Sequence, residues 1–131
     1  MKSKTTAQWK RKLWPVFSLY IRLRDNFTCF TCGRKGEGSG MHAGHWIPDA
    51  VGGLLLKFEE HNVHAQCYHC NINLGGYGER YTEKMEEKYG KEEMARLRAM
   101  KFQIIKDYPF EEKFKYYTEK VLELQNNGIM Y

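Results

Sequence analysis

Four cysteines constrain this chain more than any other residues. They fall as Cys29-x2-Cys32 and Cys67-x2-Cys70, with 34 residues between the pairs. Both thiolates of a C-x2-C pair can face one point, and two such pairs supply the four soft ligands of a tetrahedral Zn²⁺. Gly33 follows the first pair and permits the tight turn of such a knuckle. A thioredoxin-like C-x-x-C needs only one pair. The basic N-terminus is followed by no apolar stretch of the kind that directs secretion, so a cytoplasmic protein with reduced thiols is expected, rather than a disulfide framework. Cys29, Cys32, Cys67 and Cys70 are therefore predicted to hold a structural zinc. With all four positions taken by protein, that ion would fold the chain and do no chemistry.

At 131 residues the chain fits one domain, with a core modest enough that a metal cross-link helps. Its composition, 42% hydrophobic and 28% charged, indicates a globular rather than a disordered chain. No apolar run approaches the roughly 20 residues of a membrane span. The net charge of +5 is unevenly placed. Residues 1 to 24 hold seven basic residues (Lys2, Lys4, Lys10, Arg11, Lys12, Arg22, Arg24) and no acidic one, whereas the remainder holds fourteen basic and sixteen acidic. A basic arm interleaved with Trp9, Trp14 and Tyr20 suits a phosphate backbone, through charge and counterion release. The plainer alternative is a solvated amphipathic helix.

Three segments emerge. Trp9, Leu13, Val16, Phe17, Tyr20 and Leu23 recur at helical spacing over residues 7 to 24, with Pro15 able to start or kink that helix. Residues 25 to 76 are Gly-rich and hold every Cys and His. Residues 78 to 126 look helical, with Gly90 as a C-cap between two pieces. A last helix from about 109 to 125 would begin at Pro109 and end at Asn126-Asn127-Gly128. Met94, Leu97, Phe102, Ile104, Phe110, Phe114, Tyr117, Val121 and Leu124 are predicted core. The expected architecture is α+β and mainly helical, a small zinc-stapled centre clamped between helices.

Between the knuckles lies MHAGHWIP, residues 41 to 48. Its His42 and His45 could ligate one metal together, or one could be a base and the other a bystander. Residues 62 to 67 suggest a short strand entering the second knuckle, and Asn71 follows Cys70 where a helix would open. His61 and His69 are expected at the surface.

These elements resemble the HNH nucleases, whose ββα-metal motif is a two-stranded hairpin followed by a helix. The resemblance is closer to the phage recombination endonucleases called NinG or Rap. It rests on FSLYIRLRD (17 to 25), CFTCG (29 to 33), AGHW (43 to 46), LKFEEHNVHAQCYHCN (56 to 71), Gly76 and Tyr81. It runs from about residue 9 to 125. It implies a single nuclease domain over 1–131: a basic N-terminal helix (1–28), a zinc-stapled ββα core (29–77) and a helical extension (78–131).

By that resemblance His45 is the general base that activates water against a phosphodiester, as neutral imidazole can at pH 7. Asn62 would shape the loop and orient His45; otherwise it is a turn former. Asn71 would offer an oxygen to a catalytic Mg²⁺ or Mn²⁺; otherwise it is a helix N-cap. Many HNH nucleases carry Asp or His just before the base, where this chain has Gly44. His42 or His64 would then complete the metal site. Lys10, Arg11, Lys12, Arg22, Arg24, Arg80 and Lys84 would contact DNA, reading backbone and shape more than base edges. The resemblance further implies branched recombination intermediates, D-loops or Holliday junctions, as substrates, and a homodimer would suit symmetric cutting. The competing expectation is a non-catalytic zinc module that binds DNA.

Overall fold

The computed structural model describes residues 4–36 and 40–129. Lys2 of the basic arm lies outside them. Helix α1 (Thr6–Arg24) opens on a reciprocal cap, in which the Thr5 hydroxyl accepts from the Gln8 amide and the Gln8 side chain accepts from the Thr5 amide. Pro15 sits inside α1 without ending it. A proline there forfeits one backbone hydrogen bond. Burial of Leu13, Phe17 and Ile21, each one turn apart and fully enclosed, outweighs that loss. This stripe packs with Phe110 and Tyr117 of the last helix, α5 (Phe110–Ile129), where Phe17 meets Tyr117 edge-on at 4.9 Å.

Against α1 lies a two-stranded antiparallel sheet, β1 (Met41–His45) and β2 (Val63–Cys67). Met41 stands opposite Cys67, Gly44 opposite His64 and His45 opposite Val63. Strand alternation sorts the side chains onto two faces. Ala43, His45, Val63 and Ala65 share one, and Ala43 and Val63 pack among the α1 residues. His42, Gly44, His64 and Gln66 share the other.

The connection between the strands carries a helix not expected from the sequence, α2 (Asp49–Lys57), broken by Gly53 at φ 68°. It packs with α3 (Gly78–Tyr89) and α4 (Lys91–Ala99) around Leu56, Tyr81, Met85 and Leu97. Gly90, at φ 85°, ends α3 and turns the chain into α4, as its place in the sequence predicts.

The fold is mainly helical α+β with a small sheet, as expected, but three details differ. Asn71 does not open a helix; it lies within a single wide turn, His69–Asn73. Gly75, Gly76 and Tyr77 all take left-handed φ and stop that turn from continuing into α3. Phe102 and Ile104 are not core but 84% and 93% exposed. The short 3₁₀ turn Met100–Phe102 aims Met100 inward, and its tighter winding carries Phe102 out to solvent. Finally, α5 continues through Asn126-Asn127-Gly128 to Ile129, because one glycine costs a helix only about 1 kcal/mol. Among the described residues no helix is long and apolar enough to cross a membrane.

Candidate functional site

The chain leaving α1 brings Cys29 and Cys32 against the end of β2, where Cys67 closes the strand and Cys70 sits in the wide turn. All four sulfurs lie within 4.8 Å of one another. Thiolates about 2.3 Å from a shared tetrahedral ion stand roughly 3.8 Å apart, and Cys32 Sγ lies 3.7 Å from Cys67 Sγ. The donor set therefore fits a metal ion such as zinc. Burial pushes the Cys29 thiol up, but hydrogen bonds from the Thr31 hydroxyl and nearby backbone amides bring it down to about 6, toward the thiolate a metal requires.

His45 and His42 cannot share a metal. Their odd spacing in a strand sends them to opposite faces. His45 turns toward α1, where its ring stacks on Trp14 at 5.3 Å. Its Nε2 lies 3.0 Å from the carbonyl of Lys57, the last residue of α2. A carbonyl only accepts, so Nε2 carries the proton and Nδ1 keeps a lone pair. Burial holds the imidazole below its ordinary pKa, and the Lys57 hydrogen bond and the Asp49 charge only partly oppose this.

Asn62 is fully buried and pins the connection that supplies that carbonyl. Its Oδ1 accepts from the Ile47 amide at 2.8 Å, and its Nδ2 donates to the carbonyls of Ile47 and Leu56, both at 2.9 Å. The expected loop-shaping role and the plain turn-forming role are here one and the same.

The other face holds Asn71. Its Nδ2 donates to His42 Nδ1 at 3.1 Å, which leaves Asn71 Oδ1 directed at the space beside Gly44. His64 does not join it. His64 is buried under Phe30, at 4.0 Å ring to ring, with each ring nitrogen taken by a tyrosine. Tyr89 lies 2.7 Å from Nε2 and Tyr81 3.0 Å from Nδ1, and the Tyr81 hydroxyl donates to the Gly44 carbonyl. No lone pair remains for a cation, so His64 is a structural tie between the sheet and α3, and not a metal ligand. Burial pushes its imidazole down to about 2, which keeps it neutral.

Of the basic residues, Lys10, Arg11 and Lys12 are exposed on α1. Arg22 is half-buried and donates to the Ser18 carbonyl. Arg80 and Lys84 share a stripe of α3 with Lys88, and the three line a groove beside the first knuckle. Arg80 pairs with Glu83, and Lys84 with Glu87. Arg24 departs from the expected DNA face. Its guanidinium is spent on Asp25 and on the carbonyls of Glu60 and Val63, and so ties the end of α1 to β2. His61 pairs with Glu93, and His69 is exposed.

Two neighbours of the site were not foreseen. From the sequence Trp14 is an aromatic of the basic arm, suited to a phosphate backbone, yet it forms the wall against His45. Gln66 is fully buried beside Gly44. The available signal was parity, since Gln66 lies an even number of residues from His64 and opposite His42.

The family described as Bacteriophage Lambda NinG protein has a model that matches residues 1–126. The chain is similar to the protein ninG of Salmonella phage P22, 30% identical over 88 residues, which cover 66% of this chain and 42% of that protein. It is similar to the ninG proteins of Escherichia phage lambda and Escherichia phage 933W, each 29% identical over 90 residues, which cover 68% of this chain and 43% and 44% of those proteins. The match thus spans less than half the length of these relatives. No solved structure matches. A family match over nearly every residue, with cysteine knuckles that converge as its spacing requires, means that the chain belongs to the NinG family.

Proposed function

We propose that this chain is a metal-dependent DNA endonuclease of the HNH class, selective for branched recombination intermediates. The observation that carries the reading is His45. It is held neutral by burial, with its tautomer set by the Lys57 carbonyl so that Nδ1 is the atom able to take a proton. One residue earlier, on the opposite face, Asn71 Oδ1 faces the Gly44 backbone.

In this reading His45 Nδ1 accepts the proton of the attacking water. Trp14 fixes the ring plane, and Asn62 holds the segment that sets the tautomer. Asn71 is the oxygen donor for Mg²⁺ or Mn²⁺, and His42 orients its amide. The cation, when bound, supplies positive charge against the scissile phosphate. Lys10, Arg11, Lys12, Arg80, Lys84 and Lys88 supply phosphate contacts. The four-cysteine site keeps the hairpin in place.

The test is cleavage of a labelled four-way junction beside a matched linear duplex, with Mg²⁺, Mn²⁺ or EDTA. Cation-dependent cutting of the junction that disappears in His45→Ala while binding persists supports the reading. Binding without cutting under every metal rejects it in favour of a DNA-binding zinc module.

A further inference from the structure

Among the described residues, one buried side-chain polar atom has no hydrogen-bond partner: Gln66 Oε1. Buried acceptors are seldom left so, and an orphan asks for an occupant. The orientation of this amide is fixed, because Nε2 donates to Thr31 Oγ1 at 3.1 Å and to the Gly76 carbonyl at 2.9 Å. A carbonyl cannot donate, so the nitrogen must stay on that side, and Oε1 faces Gly44.

The space that Oε1 enters is the one a side chain at position 44 would fill. A Cβ built on Gly44 would stand 2.0 Å from Gln66 Oε1 and 3.0 Å from Asn71 Oδ1. Two amide oxygens from different elements therefore converge beside the same glycine. Neither can donate to the other, and the Asn71 nitrogen is already given to His42. Neutral oxygens converging from a buried residue, Gln66, and a half-buried one, Asn71, are hard ligands, suited to Mg²⁺ or Mn²⁺ rather than to zinc.

We infer that Gln66 Oε1, with Asn71 Oδ1, binds the divalent cation and takes the place of the side chain that Gly44 lacks. The inference rests on the nuclease reading for the identity of the cation and extends it by one ligand. Two consequences follow from the chemistry. Gly44 must remain glycine, because any Cβ displaces Oε1. The protein ligands carry no formal charge, so a phosphate must complete the site, and cation affinity should depend on DNA.

The experiment is Mn²⁺ titration of the full, zinc-loaded chain, followed by the EPR signal of the free ion. It is run with and without a four-way junction in a His45→Ala background that does not cut, and against the junction alone. Mn²⁺ should bind at least ten-fold more tightly when protein and junction are together. Gln66→Met and Gly44→Ala should each lose that binding while zinc content and circular dichroism stay unchanged. Gln66→Glu keeps an oxygen at the site but turns its other oxygen on the Gly76 carbonyl; with its fold checked by circular dichroism, it should bind at least as well as the parent. Should either of the first two variants misfold, the Glu variant beside the other still decides. Wild-type-like Mn²⁺ binding in Gln66→Met and Gly44→Ala, with loss only in Asn71→Ala, overturns this inference and leaves the nuclease reading standing. No protein-dependent Mn²⁺ site in any form, with or without DNA, overturns both.

Discussion

Asn62→Ala tests whether one buried amide holds the segment behind the site. Asn62 is fully enclosed, and its three hydrogen bonds all go to backbone groups: the Ile47 amide, the Ile47 carbonyl and the Leu56 carbonyl. Water cannot easily replace it, so each lost bond costs about 1 kcal/mol net, and the variant should lose about 3 kcal/mol. For a chain of this length that corresponds to a melting temperature lower by about 12 °C. Urea unfolding should show a lower midpoint with an unchanged slope. Asn62→Asp sharpens the test. It keeps the acceptor for the Ile47 amide but turns a carboxylate oxygen toward two carbonyls, which raises its folded pKa above the ordinary value near 3.9. Below the raised value the native state holds the extra proton, which restores one donor. Between the two pKa values the native state binds more protons than the unfolded state, so stability falls as pH rises. The deficit relative to wild type should therefore shrink toward low pH and be greatest at neutrality. An Asn62→Ala protein that melts within 2 °C or so of wild type would refute the claim that this residue pins the connection.

Three further outcomes follow. Removing the metal with a chelator, or replacing Cys67 by Ser, should abolish cooperative melting, with one zinc per chain measured in the intact protein. If the nuclease reading holds, His45→Ala should slow junction cleavage by ~10²–10⁴-fold; the wild-type rate should already be level at pH 7 and decline only well below the ordinary imidazole value, because burial lowers the pKa and the base must be neutral. Arg24→Gln should cost about 2 kcal/mol of stability, since it unties charged hydrogen bonds to buried carbonyls, whereas Lys10→Gln, at an exposed position, should leave the melting temperature unchanged and weaken DNA binding in a salt-dependent way.

The four-cysteine site was legible because a C-x2-C pair is a local device: its spacing alone aims both sulfurs, and the fold had only to bring two pairs together. Leu13 and Phe17 were legible because period and burial agree along one helix, whereas the equally buried Ile21 was missed and Leu23, expected on that stripe, is only half-buried. Arg24 was not, because a guanidinium looks the same in sequence whether it meets phosphate or the carbonyls of Glu60 and Val63. Phe102 and Ile104 misled because apolar character says nothing about direction once the winding tightens at Met100. His64 misled for a different reason. Its place between the knuckles suggested a ligand, but the phenols that occupy it come from α3, 17 and 25 residues away.

The same parity explains why so small a sheet suffices to organise the site. A helix would set His42 and His45 on one side and invite a single shared metal. A strand sends them apart, so His45 can stack on Trp14 while His42 meets Asn71 on the other side. The two faces then impose different chemistry on residues one position apart. Apolar packing lowers the basicity of His45 without removing its lone pair, whereas the polar face gathers oxygens around a missing side chain. Gly44 sits at the crossing, with its carbonyl held by Tyr81 and its absent Cβ replaced by Gln66 Oε1. A larger residue there would not merely crowd a neighbour. It would push out Gln66 Oε1, among the described residues the one buried side-chain polar atom without a hydrogen-bond partner.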